Sequence, residues 1–147
     1  MVRFGIIGTS SISDKFVEAL KTIKKCEVTA VYSRSVEKGD YFATKHDIKT
    51  IYLSLEEMAE SQKVDAVYIA SPNGLHPSQA IKMMKSGKHV ICEKAIAPTV
   101  KELDEMIKTA KENNVVLMEA MRPTLNPNFN IIKESLEKIG TVRGKSA

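Results

Sequence analysis

Tryptophan is absent, and Phe and Tyr bring the aromatic content to only 5% of 147 residues. A base-stacking platform for single-stranded nucleic acid needs successive aromatic faces, so none is expected. Cysteine is nearly absent too. Cys26 and Cys92 stand far apart inside strand-like runs, with no Cys-x-x-Cys pairing. Such lone thiols read as small buried side chains in a reducing compartment, which places the chain in the cytoplasm and predicts no metal site. No apolar run approaches membrane-spanning length, and the stretch Met1–Gly8 is too short for a signal-peptide core, so no membrane is expected among the partners. Nor is there a strong excess of one charge. Lys and Arg number 22 against 18 Asp and Glu, for a net +4. The two signs interleave through Lys101, Glu102, Asp104, Glu105, Lys108, Lys111 and Glu112, the pattern of a solvated helix face rather than a nucleic-acid patch.

What is present is an alternation. With 43% apolar and 27% charged residues, the chain has the composition and length of one soluble globular domain. Apolar, β-branched runs stop repeatedly at small or charged residues, and a helix-like segment follows each. The stops fall at Gly8-Thr9-Ser10-Ser11, Ser33-Arg34-Ser35, Ser71-Pro72-Asn73, Glu93-Lys94 and Glu119-Ala120-Met121-Arg122. If the runs are parallel strands of one sheet, all of these clusters lie on its carboxyl edge, where open α/β sheets bind ligands.

The predicted strands are 2–7, 28–32, 51–53, 64–70, 89–92 and 115–118. The first is apolar on both faces, as a central parallel strand should be. Ile12, Phe16, Ala19, Leu20 and Ile23 recur at helical spacing, and Val100, Leu103, Met106, Ile107 and Ala110 form a second stripe. A more polar helix over 36–45 carries Phe42 and Ala43, and a last helix covers about 128–138. Ser54-Leu55-Glu56-Glu57 and Thr99-Val100-Lys101-Glu102 read as capping boxes, and Gly87 stands where a left-handed helix end belongs. The economical fold is a doubly wound, mostly parallel α/β sheet of about six strands, of the Rossmann kind, over residues 1–139. Residues 140–147 have no evident place in it.

Each cluster has two readings. Gly8-Thr9-Ser10-Ser11-Ile12-Ser13 keeps only the first glycine of the dinucleotide pattern G-x-G-x-x-G, with Ser10 and Ser13 in place of the others. Serine hydroxyls can donate to phosphate and cap the helix, yet a serine-rich cap with no ligand has the same sequence. At the end of the second strand, where an acid would mark NAD, stand Ser33 and Arg34, with Lys38 one turn on. A guanidinium matches a 2′-phosphate in a planar, bidentate way, so NADP is the preferred cofactor and NAD the alternative. An exposed turn arginine is the plain alternative. In Ser71-Pro72-Asn73-Gly74-Leu75-His76-Pro77 the breakers force a turn that would present Asn73 and His76 over a cofactor, although a lone His at a helix start is commonly structural. Lys94 ends a buried strand, where desolvation lowers an ammonium pKa toward the range of proton transfer.

In these residues the chain resembles the glucose–fructose oxidoreductase / inositol dehydrogenase / MocA (Gfo/Idh/MocA) family. The matching segments are Phe4–Thr9, Val31–Ser35, Ile69–Asn73 with His76, Gly87–Lys94 and Met118–Arg122, in order across nearly the whole chain. The resemblance implies an NAD(P)-binding Rossmann domain followed by a C-terminal α/β domain, absent here, with 140–147 leading toward it. It implies hydride transfer between nicotinamide and a sugar, cyclitol or dihydrodiol. By position, Gly8, Thr9, Ser10, Ser11 and Ile12 would hold the pyrophosphate, and Ser33 with Arg34 the adenosine ribose or its phosphate. Ser71, Pro72, Asn73, His76 and Met121 would line the nicotinamide side, Glu93 would meet the nicotinamide ribose, and Lys94 would be catalytic. Two departures stand out: Ser10 where the family usually has Gly, and Ala95 where it usually has Pro after the Glu-Lys pair. Turnover by this segment alone is not expected. The missing domain would supply the substrate grip and the contacts of a homo-oligomer. The alternative function is a non-catalytic nucleotide-binding or regulatory Rossmann module.

Overall fold

The structure, a computed structural model, describes residues 1–139. The tail 140–147, expected to lead toward a second domain, lies outside the described residues. Strands and helices alternate as β1 (Val2–Ile7), α1 (Ser11–Lys21), β2 (Cys26–Tyr32), α2 (Val36–His46), β3 (Thr50–Tyr52), α3 (Leu55–Glu60) and β4 (Ala66–Ile69). They continue as α4 (His76–Lys85), β5 (His89–Cys92), α5 (Val100–Glu112), β6 (Leu117–Glu119) and α6 (Pro127–Ile139), with 3₁₀ turns at Asn73–Leu75 and Arg122–Leu125. The strands form one sheet in the order β3-β2-β1-β4-β5-β6, every pairing parallel. The chain winds outward from β1 to β3 on one side, then returns to place β4 on the other side of β1. This doubly wound α/β sheet leaves a crevice between the carboxyl ends of β1 and β4, where the loops part in opposite directions.

Successive strand residues point to opposite faces, and here both faces are covered. Ile6, Val31 and Tyr68 pack with Val17 of α1 and Phe42 and Ala43 of α2. Ile7, Ala30, Val67 and Ile69 pack on the other side with Met58 of α3, Met83 of α4 and Met106 of α5. Ile6, Ile7, Phe42 and Met83 are essentially inaccessible to water, each contributing about 1.5–3 kcal/mol by burial.

The helix ends follow local chemistry. Gly87 takes φ 75°, its N–H bonds the Met84 carbonyl and the Lys88 N–H bonds that of Met83, a Schellman closure of α4. The side chains of Ser54 and Thr99 accept from first-turn N–H groups of α3 and α5. At the amino edge of the sheet Arg3 forks onto Asp65, at 2.5 and 2.9 Å, and holds that carboxyl down at about 2.

Three details differ from the sequence pattern. The buried face of α1 is Ser13, Val17 and Leu20; Ala19 is exposed and Ile23 lies beyond the helix end, 48% exposed. Ser13 escaped an apolar count because it is a hydroxyl, yet it is fully buried with its Oγ donating to the Gly8 carbonyl at 2.8 Å. On α5, Val100 and Ile107 face solvent while Thr109 takes a buried place. The last strand begins two residues later than expected, because Asn114 adopts φ 53°, the Val115 N–H returns to the Ala110 carbonyl, and the Val116 N–H goes to His89 Nδ1 instead of a strand carbonyl. On α6, Phe129, Ile131, Ile132 and Leu136 are exposed. No helix among the described residues is long and apolar enough to cross a membrane.

Candidate functional site: the crevice between β1 and β4

The crevice holds a cavity of about 720 Å³, within the range of small-molecule and cofactor sites. Its floor is the turn from β1 into α1. Gly8 sits there at φ 102°, and a Cβ on it would lie 2.7 Å from the Ala70 carbonyl oxygen and 3.0 Å from the Ser71 nitrogen. Only glycine lets the β1 and β4 loops meet this closely. Thr9 and Ser10 line the cavity; Ser11 and Ile12 form the first turn of α1 and are not among its walls. Ser10 is the N-cap by position, but its side chain makes no cap bond. The first-turn N–H groups of α1, which no helical carbonyl can reach, therefore keep their donor capacity at the floor. The hydroxyls were expected to cap, but the one locked into the turn is that of Ser13.

The wall on the β2 side is Ser33, Arg34, Ser35 and Lys38, with Glu37 and Tyr41 further along α2. Ser33 is buried and uses its hydroxyl within the loop, donating to the Ser35 carbonyl at 2.8 Å and accepting the Ser35 N–H at 3.2 Å. It thus shapes the loop instead of presenting its hydroxyl. Ser35 caps α2 by accepting from the Lys38 N–H. Arg34 and Lys38 are exposed on this wall, and neither side chain has an ion-pair or hydrogen-bond partner among the described residues.

The opposite wall is Ser71, Pro72, Leu75 and Gln79. Ser71 donates to Gln79 Oε1 at 2.6 Å. Gln79 was not singled out from sequence; its spacing of eight residues from Ser71 across a turn gives no local signal.

The remaining candidates stand along the same edge but outside the cavity walls. Asn73 is exposed in the 3₁₀ turn. His76 departs from its expected place over the cofactor: it is fully buried, with Nε2 2.8 Å from the Ser71 carbonyl and Nδ1 2.9 Å from the Ala95 carbonyl. With a backbone carbonyl facing each nitrogen, its ring sits between the loop after β4 and the loop after β5, and its N–H can donate to one of them. Glu93 Oε1 accepts from the Tyr68 hydroxyl at 2.6 Å and Oε2 from the Lys94 N–H at 3.2 Å. Lys94 itself is exposed, so the described residues do not supply the desolvation expected at a buried strand end. Met121 is 39% exposed just after β6. The Lys94–Ala95 peptide is cis. The Ala95 carbonyl faces His76, and the next N–H, that of Ile96, donates to Glu119 Oε1 at 2.9 Å. Tyr68 has no signal in the sequence, and Glu119, although part of the edge cluster 119–122, shows no role there, because the partners of both lie across neighbouring strands. Cys92, beneath this edge, is a buried free thiol pushed up to about 12 by burial, with Glu119 and Glu93 adding to it; it stays protonated and unreactive.

A family model described as an oxidoreductase family with an NAD-binding Rossmann fold matches residues 2–121. A scyllo-inositol 2-dehydrogenase (NADP(+)) of Bacillus subtilis is 54% identical over 143 residues, which are 97% of this chain and 44% of that protein. A trans-1,2-dihydrobenzene-1,2-diol dehydrogenase of Xenopus tropicalis is 33% identical over 96% of this chain and 44% of its own length. The crystal structure of a 3-ketoreductase from Actinomadura kijaniata in complex with TDP-benzene and NADP superposes with a TM-score of 0.88 at 26% identity, covering 93% of this chain and 42% of that one. The chain thus spans less than half the length of these relatives, over their Rossmann part. It belongs to the Gfo/Idh/MocA oxidoreductase family and carries that family's NAD-binding Rossmann fold.

Proposed function

We propose that this chain is the cofactor half of an NADP-preferring oxidoreductase acting on a sugar, cyclitol or dihydrodiol, with the rest of a longer protein gripping the substrate. The observation that carries the NADP preference is the pair of cations, Arg34 and Lys38, unpartnered among the described residues, on the β2 wall of the crevice. Two cations beside an adenosine ribose suit a 2′-phosphate, and no acid stands in the loop to accept from ribose hydroxyls before Glu37. The NADP(+) in the name of the Bacillus relative supports the same choice.

The site fits a dinucleotide. The glycine turn and the first-turn N–H groups of α1 face the place of a pyrophosphate, and the cavity has the volume of a cofactor cleft. When bound, the nicotinamide supplies or accepts the hydride. Gly8, Thr9 and Ser10 hold the diphosphate, Arg34 and Lys38 the 2′-phosphate, and Ser71, Pro72 and Asn73 the nicotinamide side, with Met121 at its outer margin. Glu93 accepts from the nicotinamide ribose. Lys94, exposed at the strand end, takes or returns the proton of the substrate oxygen through Nζ. Buried Cys92 and free Cys26 fit a reducing compartment, and we place the protein in the cytoplasm.

Titration of the 147-residue chain with NADPH and with NADH, followed by nicotinamide fluorescence, tests this reading. NADPH is expected to bind more tightly. Equal affinities would remove the NADP preference, and binding of neither would overturn the cofactor reading.

A further inference from the structure

Tyr68 lies in the middle of the sheet, 2% exposed, with its ring stacked on Phe16 of α1 at 3.8 Å between centroids and 2° between planes. A phenol hydroxyl at such a depth needs a polar partner. It has one in Glu93, at 2.6 Å, across the β4–β5 pairing. The second oxygen of the same carboxylate receives the Lys94 N–H, and the Glu93 N–H is held by the Ile69 carbonyl at 2.8 Å. The side chain next to Lys94 is therefore fixed by a ring that also rests on the helix whose N-terminus floors the crevice.

We propose that Tyr68 is a positioning residue: its hydroxyl fixes the Glu93 carboxylate for the nicotinamide-side ribose. Through its stacking on Phe16, it holds that group at a set distance from the phosphate floor. The inference rests on the cofactor reading above for the identity of what Glu93 meets, but not for the Tyr68–Glu93 contact itself.

Tyr68→Phe removes one oxygen and leaves the ring on Phe16. Without ligand, the Lys94 amide, which donates to the carboxylate that Tyr68 holds, should exchange with solvent about threefold faster or more in the variant. NADPH should bind about 3- to 10-fold more weakly, the usual loss for one hydrogen bond, whereas 2′,5′-ADP, which lacks the nicotinamide ribose, should bind within about twofold of the unsubstituted chain. Adding Glu93→Gln to Tyr68→Phe should cost little beyond Glu93→Gln alone, because the hydroxyl acts through that carboxylate. An unchanged Lys94 exchange rate would overturn the proposal, as would equal weakening of NADPH and 2′,5′-ADP, the mark of a merely structural role. If the unsubstituted chain binds neither ligand, the cofactor reading fails, and amide exchange alone decides whether Tyr68 fixes Glu93.

Discussion

Arg34→Ala is expected to weaken NADPH binding by about 10- to 100-fold and to leave NADH within about twofold, the range for hydrogen bonds to a charged group. The expectation follows from where the guanidinium stands. It is exposed on the wall of the crevice and has no carboxylate among the described residues to release before it meets a ligand. Its loop is already set, with Ser33 bonding Ser35 twice and Ser35 capping α2. The loop's share of the ordering cost has therefore been met before binding, and only the arginine side chain is left to order. Lys38 remains in the variant, which is why the loss should stop short of abolition. Arg34→Lys should fall between the two, since an ammonium keeps the charge but not the planar fork. The attraction should also weaken with salt: the NADPH advantage of the unsubstituted chain should shrink as ionic strength rises, and the NADH affinity should change less. Fluorescence titrations of the three proteins at two salt concentrations measure all of this. A loss equal for both cofactors would show that Arg34 holds something they share.

Gly8→Ala is expected to be the most damaging glycine-to-alanine change among the described residues, destabilising the chain by about 2–4 kcal/mol from left-handed strain together with overpacking. The backbone there has φ 102°, and the new Cβ would meet the Ala70 carbonyl oxygen at 2.7 Å and carbon at 2.9 Å. These are backbone atoms at the end of β4, so no side chain can swing aside. Relief requires the β1 and β4 loops to part, which distorts the crevice floor as well as the fold. NADPH affinity should therefore drop by at least about tenfold, even at temperatures where the variant remains folded. Gly74→Ala is the control, because nothing lies within 4 Å of its added Cβ; it should alter stability by less than about 0.5 kcal/mol. Urea unfolding of the two variants beside the unsubstituted chain gives the comparison, and similar stabilities for both would refute the packing argument.

The architecture was legible because its signals are local. Strands apolar on both faces, a glycine at the end of α4 and hydroxyl caps before α3 and α5 each follow from a few consecutive residues. Legibility fell where a residue's role depends on strand register. Tyr68 and Glu93 are 25 residues apart and meet only because β4 and β5 pair in parallel. Ile96 and Glu119 meet across β5 and β6 in the same way. The sequence places His76 at the right turn but cannot say whether its ring looks outward or, as here, inward to two carbonyls. Ser33 and Ser10 show the same limit at shorter range. Both were expected to offer hydroxyls to phosphate; Ser33 spends its own on the loop, whereas Ser10 lines the crevice without capping α1. The lysine whose desolvation was expected stands in the open, with nothing among the described residues to cover it.

If the crevice between β1 and β4 takes a dinucleotide, NADPH added to the ¹⁵N-labelled chain should shift the backbone amides that line it. The largest changes are expected on 8–12, 33–38, 70, 71 and 73, with smaller ones at 93–96. Shifts concentrated on the groove between α3, α4 and α5, around Glu56, Lys82 and Glu105, or no shifts at saturating NADPH, would contradict the dinucleotide reading.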